Sequence, residues 1–168
     1  MKNIIGIIIA ILVLGGLIWF ARPNNANTAI TASEQNPPVE QQGSLIALET
    51  NYDFGSISMA AGEVKYPFKI KNSSREPITI NKMYTSCMCT TATLMIGGRQ
   101  WGPMGMPGHS GIPAINEILA PGREATVDVV FDPAAHGPAG VGKIARAIII
   151  ENSAGQPLEL NFSALVTP

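Results

Sequence analysis

Val64-Lys65-Tyr66-Pro67-Phe68-Lys69-Ile70-Lys71 alternates apolar and polar side chains with a period of two. Successive side chains of an extended chain point to opposite faces. The stretch therefore predicts a strand with Val64, Tyr66, Phe68 and Ile70 on a core and the lysines in water. Pro67 has no N–H to give to a neighbouring strand and predicts an edge position. The same alternation returns at Ala125, Val127, Val129 and Phe131, and again at Leu158, Leu160, Phe162, Ala164 and Val166. Shorter runs cover Leu45 to Glu49, Ile78 to Tyr84 and Ile144 to Ile150, and Asn72-Ser73-Ser74-Arg75, Pro121-Gly122 and Ser153-Ala154-Gly155 punctuate them as turns. Six or seven short strands without a convincing amphipathic helix predict an all-β domain over residues 44–168, an antiparallel β-sandwich of about seven strands.

Outside that domain the composition changes. The chain is 46% hydrophobic and only 14% charged, too poor in charge for a wholly soluble protein, so part of it belongs in an apolar phase. That part is Ile4 to Phe20, which carries no charge; at ~1.5 Å rise per residue and with its flanks it approaches the ~30 Å hydrocarbon thickness of a bilayer. A cleaved signal peptide would have a shorter apolar run followed by small residues, and Trp19-Phe20-Ala21 does not fit that pattern. Residues 1–22 are therefore expected to be a retained single transmembrane helix, the only membrane partner foreseen, with the C-terminal domain on the extracytoplasmic side of the cell membrane. Pro23 to Gly43 is polar and proline-containing with little to bury, which predicts a flexible, disordered linker over 23–43 that holds the domain on the order of 25 Å from the membrane. A net charge of −1 excludes the basic footprint of a general nucleic-acid binder.

Five phrases then follow one another in a telling order: Tyr52-Asp53-Phe54-Gly55-Ser56-Ile57, Phe68-Lys69-Ile70-Lys71-Asn72, Thr85-Ser86-Cys87-Met88-Cys89-Thr90, Pro121-Gly122 and Val130-Phe131-Asp132. Over roughly residues 45 to 166 the chain resembles the bacterial family called domain of unknown function 1573. The resemblance implies an immunoglobulin-like sandwich similar to ASH and major-sperm-protein domains, exported or membrane-anchored and without a settled activity. Two departures stand out. Met88 occupies the place between the cysteines where the family usually has glycine, and the stretch from Thr90 to Pro121 is longer than usual and rich in Gly, Pro and Met.

Cys87 and Cys89 are the only cysteines, two residues apart at the end of an expected strand, where both thiols point to one face. In an exported protein the default for two cysteines is a disulfide. Extended backbone separates such Cα atoms by ~6.5 to 7 Å, the upper edge for a relaxed bridge, so bridging them needs a local turn. Two thiolates on one face also make half of a soft-metal site, and the pair can equally serve as small apolar residues that cap the core.

The second unusual stretch, Gly97 to Ser110, places glycine at 102, 105, 108 and 111, a period of three expected to form an extended, polyproline-like loop. Met104, Met106 and His109 sit in it, and thioether, thiolate and imidazole are ligands that suit Cu(I). Methionines can as well pad a loop lying over the sandwich. His136, the other histidine, lies in Asp132-Pro133-Ala134-Ala135-His136-Gly137 between two strands. If Thr91 to Ile96 is a strand, strand parity brings His136 to the cysteine pole; if it is not, His136 falls at the other.

The chain lacks H-E-x-x-H, G-x-S-x-G, a P-loop and a dinucleotide fingerprint, and Gly108-His109-Ser110-Gly111 only superficially imitates a nucleophile elbow. Asp53, Asp128 and Asp132 read as turn or outward strand residues. The expectation is a non-enzymatic binding module for a cell-envelope protein, with a possible copper or zinc site at Cys87, Cys89 and His136, completed by Met104, Met106 or His109. The alternatives are a thiol redox protein using Cys87 and Cys89, and a protein scaffold without metal.

Overall fold

The computed structural model describes residues 44–168, so the anchor expected over 1–22 and the linker expected over 23–43 lie outside the described residues. Among the described residues the strands are β1 (Leu45–Ala47), β2 (Asn51–Ser58), β3 (Val64–Asn72), β4 (Ile78–Thr85), β5 (Thr90–Ile96), β6 (Arg99–Met104), β7 (Glu117–Leu119), β8 (Glu124–Phe131), β9 (Gly142–Asn152) and β10 (Leu158–Thr167). They form two five-stranded sheets, in the orders β1-β3-β8-β5-β6 and β2-β10-β9-β4-β7, which pack as a β-sandwich. Among these residues no helix is long and apolar enough to cross a membrane.

The alternating stretches behave as their period requires. Phe68 and Ile70 of β3, Val127, Val129 and Phe131 of β8, and Leu160, Phe162 and Val166 of β10 are all buried, while Lys65, Pro67 and Lys69 face water. Phe131 and Phe162 meet across the two sheets with ring centroids 5.3 Å apart. Tyr66 is half-buried and stacks on Tyr52 of the opposite sheet at 3.5 Å. Its hydroxyl donates to the Glu49 carboxylate, and that hydrogen bond is the main cause that raises its pKa above the ordinary tyrosine value.

Several expectations about the strands need correction. There are ten strands among the described residues rather than about seven, because β2, β6 and β7 carry weak alternation. Gly102-Pro103 interrupts the alternation of β6, and β7 is three residues long. The sheets are not wholly antiparallel, since β2 pairs parallel with β10 across an irregularity between Ser163 and Leu165. Pro67 does not mark an edge strand, because β3 lies between β1 and β8. However, β1 pairs only with Ile70, Lys71 and Asn72, so Pro67 sits on the part of β3 that β1 does not cover.

The stretch expected to be an extended loop is half strand. Ile96 pairs with Arg99 around Gly97-Gly98, whose φ angles of 57° and 85° are those of a tight two-residue hairpin turn that glycine adopts without strain. Gly102 lies against β5 so closely that a Cβ there would be 2.8 Å from the Ala92 carbonyl oxygen. Beyond Met104 the chain crosses to the other sheet, where the Thr85 N–H donates to the Gly105 carbonyl at 3.1 Å. It then descends beside β4 until the Ile115 N–H donates to the Asn81 carbonyl at 2.8 Å.

Candidate metal centre at the cysteine pole

β4 ends at Thr85 and β5 begins at Thr90, so Cys87 and Cys89 lie in the turn between two strands rather than on a strand end. The Thr90 N–H donates to the Cys87 carbonyl at 3.2 Å and closes this turn. The Thr85 hydroxyl lies 3.0 Å from both the Cys87 and the Thr90 carbonyl oxygens and ties the two strand ends together. The turn shortens the Cα separation to 5.3 Å, below the extended spacing, and brings the two sulfurs to disulfide-bonding distance. Both cysteines are buried.

His136 arrives from the connection after β8. β8 runs antiparallel to β5, with Phe131 opposite Thr90, so the chain leaves β8 at the cysteine pole. The Asp132 N–H donates to the Cys89 carbonyl at 2.9 Å, and the Asp132 carboxylate accepts from the Ala134 N–H at 2.8 Å. Gly137, with φ of 55°, then turns the chain, and Gly140 packs so near that a Cβ there would be 3.1 Å from the His136 Cβ. The result puts His136 Nε2 3.1 Å from Cys87 Sγ. The Cys87 and Cys89 sulfurs and a His136 ring nitrogen all lie within 4.8 Å of one another, with the imidazole exposed at the rim and the sulfurs behind it.

The parity condition set by the sequence is met, since Thr90–Ile96 is a strand. It reached the correct pole although β6 and β7 were not foreseen, because an added pair of strands leaves the direction of the next one unchanged. The methionine loop is placed differently. Met104 is buried in the core opposite Ala92, Met106 is half-buried in the turn that follows Gly105, and His109 is exposed. His109 is not part of the Cys87–Cys89–His136 group. Asp53 and Asp132 accept hydrogen bonds from backbone N–H groups two residues on, as turn residues do.

Arg146 was missed. Its Nε donates to Cys89 Sγ at 3.3 Å and its Nη1 to the Ala145 carbonyl at 2.8 Å. The signal was present in the alternation of β9: Ile144, Arg146, Ile148 and Ile150 share one face, and Ile148 and Ile150 are fully buried. A guanidinium at a core-facing register requires an acceptor. Here it finds a sulfur.

A family model described as a protein of unknown function (DUF1573) matches residues 45–96, a segment that holds both cysteines and ends before His136 and Arg146. No curated protein matches the chain in sequence. Among solved structures, a protein of unknown function from Porphyromonas gingivalis W83 is similar at 18% identity with a TM-score of 0.53, over 77% of this chain and 51% of its own. This chain therefore spans about half of that protein's length. The ASH/PapD-like domain 7 of human CEP192 is 12% identical with a TM-score of 0.48, over 82% of this chain and 95% of its own. The secreted serine protease VesC from Vibrio cholerae is 13% identical with a TM-score of 0.48, over 76% of this chain and 24% of its own. At these identities the first likeness speaks to the fold alone.

Proposed function

We propose that the chain is a membrane-anchored, extracytoplasmic, non-enzymatic binding module whose reduced Cys87–Cys89–His136 site holds one soft metal ion, copper or zinc. The observation that carries this reading is the convergence of two sulfurs and an imidazole nitrogen within 4.8 Å, from two loops joined at one pole. Thiolate and imidazole are the donors that both metals take from proteins. The exposed His136 gives an ion a path to the buried sulfurs. Metal entry requires the dithiol. A phosphine opens the Cys87–Cys89 pair by giving two electrons and becoming the phosphine oxide, with water supplying the oxygen and the two thiol protons, and the metal displaces those protons when it binds. The fourth ligand in this reading is Met106 or His109 after the Gly105–Ser110 loop shifts, or water, whereas Met104 stays in the core on β6.

The anchor rests on the apolar run Ile4 to Phe20 and the poor cleavage signals after it, and the proposed partner class is another cell-envelope protein. A second reading, a thiol redox protein, is favoured by the approach of Cys87 and Cys89 to bonding distance. The discriminating experiment is a competition titration of the reduced chain with Cu(I) and with Zn(II), beside the Cys87→Ser/Cys89→Ser double variant. Stoichiometric binding lost in the double variant supports the metal site. Binding that survives both substitutions leaves a module without a metal centre. Absence of binding, with a reversible thiol titration at Cys87 and Cys89, moves the assignment to redox exchange.

A further inference from the structure

We infer that Arg146 makes this site selective for Cu(I) over Zn(II); the inference rests on the metal-site reading above. Arg146 is held firmly beside the turn. The Ser86 N–H donates to the Ala147 carbonyl and the Ala147 N–H donates to the Ser86 hydroxyl, both at 2.9 Å, so β9 is tied to the residue before Cys87. From that strand the half-buried guanidinium reaches Cys89 Sγ and one backbone carbonyl. Among the described residues the ion pairs are Lys71 with Glu124 and Arg99 with Glu117, and no carboxylate pairs with Arg146. A half-buried guanidinium without a carboxylate is best neutralised by a thiolate, and Cys89 is the sulfur it faces.

The charges then choose the ion. Two thiolates carry two negative charges, and Arg146 cancels one of them. A single monovalent cation leaves the cluster neutral, whereas a divalent cation leaves a net positive charge in a half-buried site. Coordination number acts in the same direction. As they stand, the gathered side chains offer two sulfurs and one nitrogen, a set that Cu(I) accepts with three ligands, while Zn(II), which almost always takes four, needs the loop shift or a water to complete its shell.

The test is competition titration of the purified full chain, reduced with a phosphine, with Cu(I) and Zn(II) as probes, for wild type, Arg146→Gln and Arg146→Lys. The glutamine variant removes the charge and is expected to strengthen Zn(II) binding relative to Cu(I) by ~10-fold or more, a size typical of changes made next to metal ligands. The lysine variant keeps the charge and is expected to keep a ratio close to wild type. Arg146→Met supplies the neutral comparison if the glutamine variant does not fold. A purely structural role for Arg146 would weaken both metals together and leave their ratio unchanged. An unchanged ratio, with binding that still requires Cys87 and Cys89, overturns the role of Arg146 alone. Binding of neither metal, or binding indifferent to the cysteines, overturns the metal site and this inference together.

Discussion

Both poles of the sandwich tie backbone together with buried polar side chains, Asn72 and Asn152 at one and Thr85 at the other, but the cysteine pole also sets reactive side chains against one another. At the pole away from the cysteines, the Asn72 amide donates to the Glu76 and Leu119 carbonyls at 2.8 Å and accepts from the Ser74 N–H at 2.8 Å. Asn152 does the same for its own turn, donating to the Gln156 carbonyl at 3.0 Å and accepting from the Ala154 N–H at 2.9 Å. Both side chains are consumed by the backbone they close. At the cysteine pole, Cys87 meets His136 and Cys89 meets Arg146, so the reactive groups face each other. Among the described residues no buried side-chain nitrogen or oxygen lacks a partner, which makes the choice of partner the informative quantity. Polar groups spent on backbone build the fold. Polar groups spent on one another remain available for a ligand.

The contrast can be broken by substitutions that read stability and metal affinity separately. The largest effect belongs to the core both poles share. Phe68→Ala should cost about 3 to 5 kcal/mol in chemical denaturation, through lost transfer energy and the cavity left behind. Its exposed neighbour gives the scale, since Lys69→Ala should stay within about 0.5 kcal/mol. Equal effects would mean that the assigned faces of β3 are wrong.

Next comes the asparagine pole. Asn72→Ala removes the donor to the Leu119 carbonyl and one of the two donors to the Glu76 carbonyl, which the Ser74 hydroxyl also reaches, and should cost about 1 to 3 kcal/mol, with no change in metal affinity. A loss of metal binding in a folded Asn72→Ala protein would erase the distinction between the poles. His136→Ala should show the converse, with stability changed by no more than about 0.5 kcal/mol because the ring is exposed. Its metal affinity should fall by more than ~10-fold, measured by competition with a chromophoric chelator. The smallest effect is expected at Gly140, where a new Cβ would press on the His136 Cβ at 3.1 Å. Gly140→Ala should weaken metal binding by less than His136→Ala does, since the ring is shifted and not removed.

The asparagine pole was easier to read in the sequence than the cysteine pole. Asn72-Ser73-Ser74-Arg75 and Ser153-Ala154-Gly155 are turns by local chemistry, because short polar side chains bond to their own backbone wherever they sit. The strands β3, β8 and β10 were legible for a similar reason: one face of each is wet, and the period of two records it. β6 was not, because Gly102-Pro103 interrupts its alternation, although Gly97-Gly98 after an apolar run is a recognised hairpin signal. Cys87, Cys89 and His136 could be joined by counting strand directions. Arg146 could not, because its partner Cys89 lies in a turn far away in sequence, and only its inward register on β9 hinted that a partner was needed. The parallel pairing of β2 with β10 left no local trace, since no hairpin connects them.

The central claim is that Cys87, Cys89 and His136 together hold one soft metal ion. X-ray absorption spectroscopy of the reduced chain loaded with one equivalent of Cu(I) tests it most directly, because it counts the atoms bound to the metal. The account predicts a first shell containing two sulfurs and one imidazole nitrogen, with the nitrogen lost in His136→Ala and both sulfurs lost in Cys87→Ser/Cys89→Ser. A shell without those sulfurs, or one that is the same in the double variant as in wild type, would contradict it.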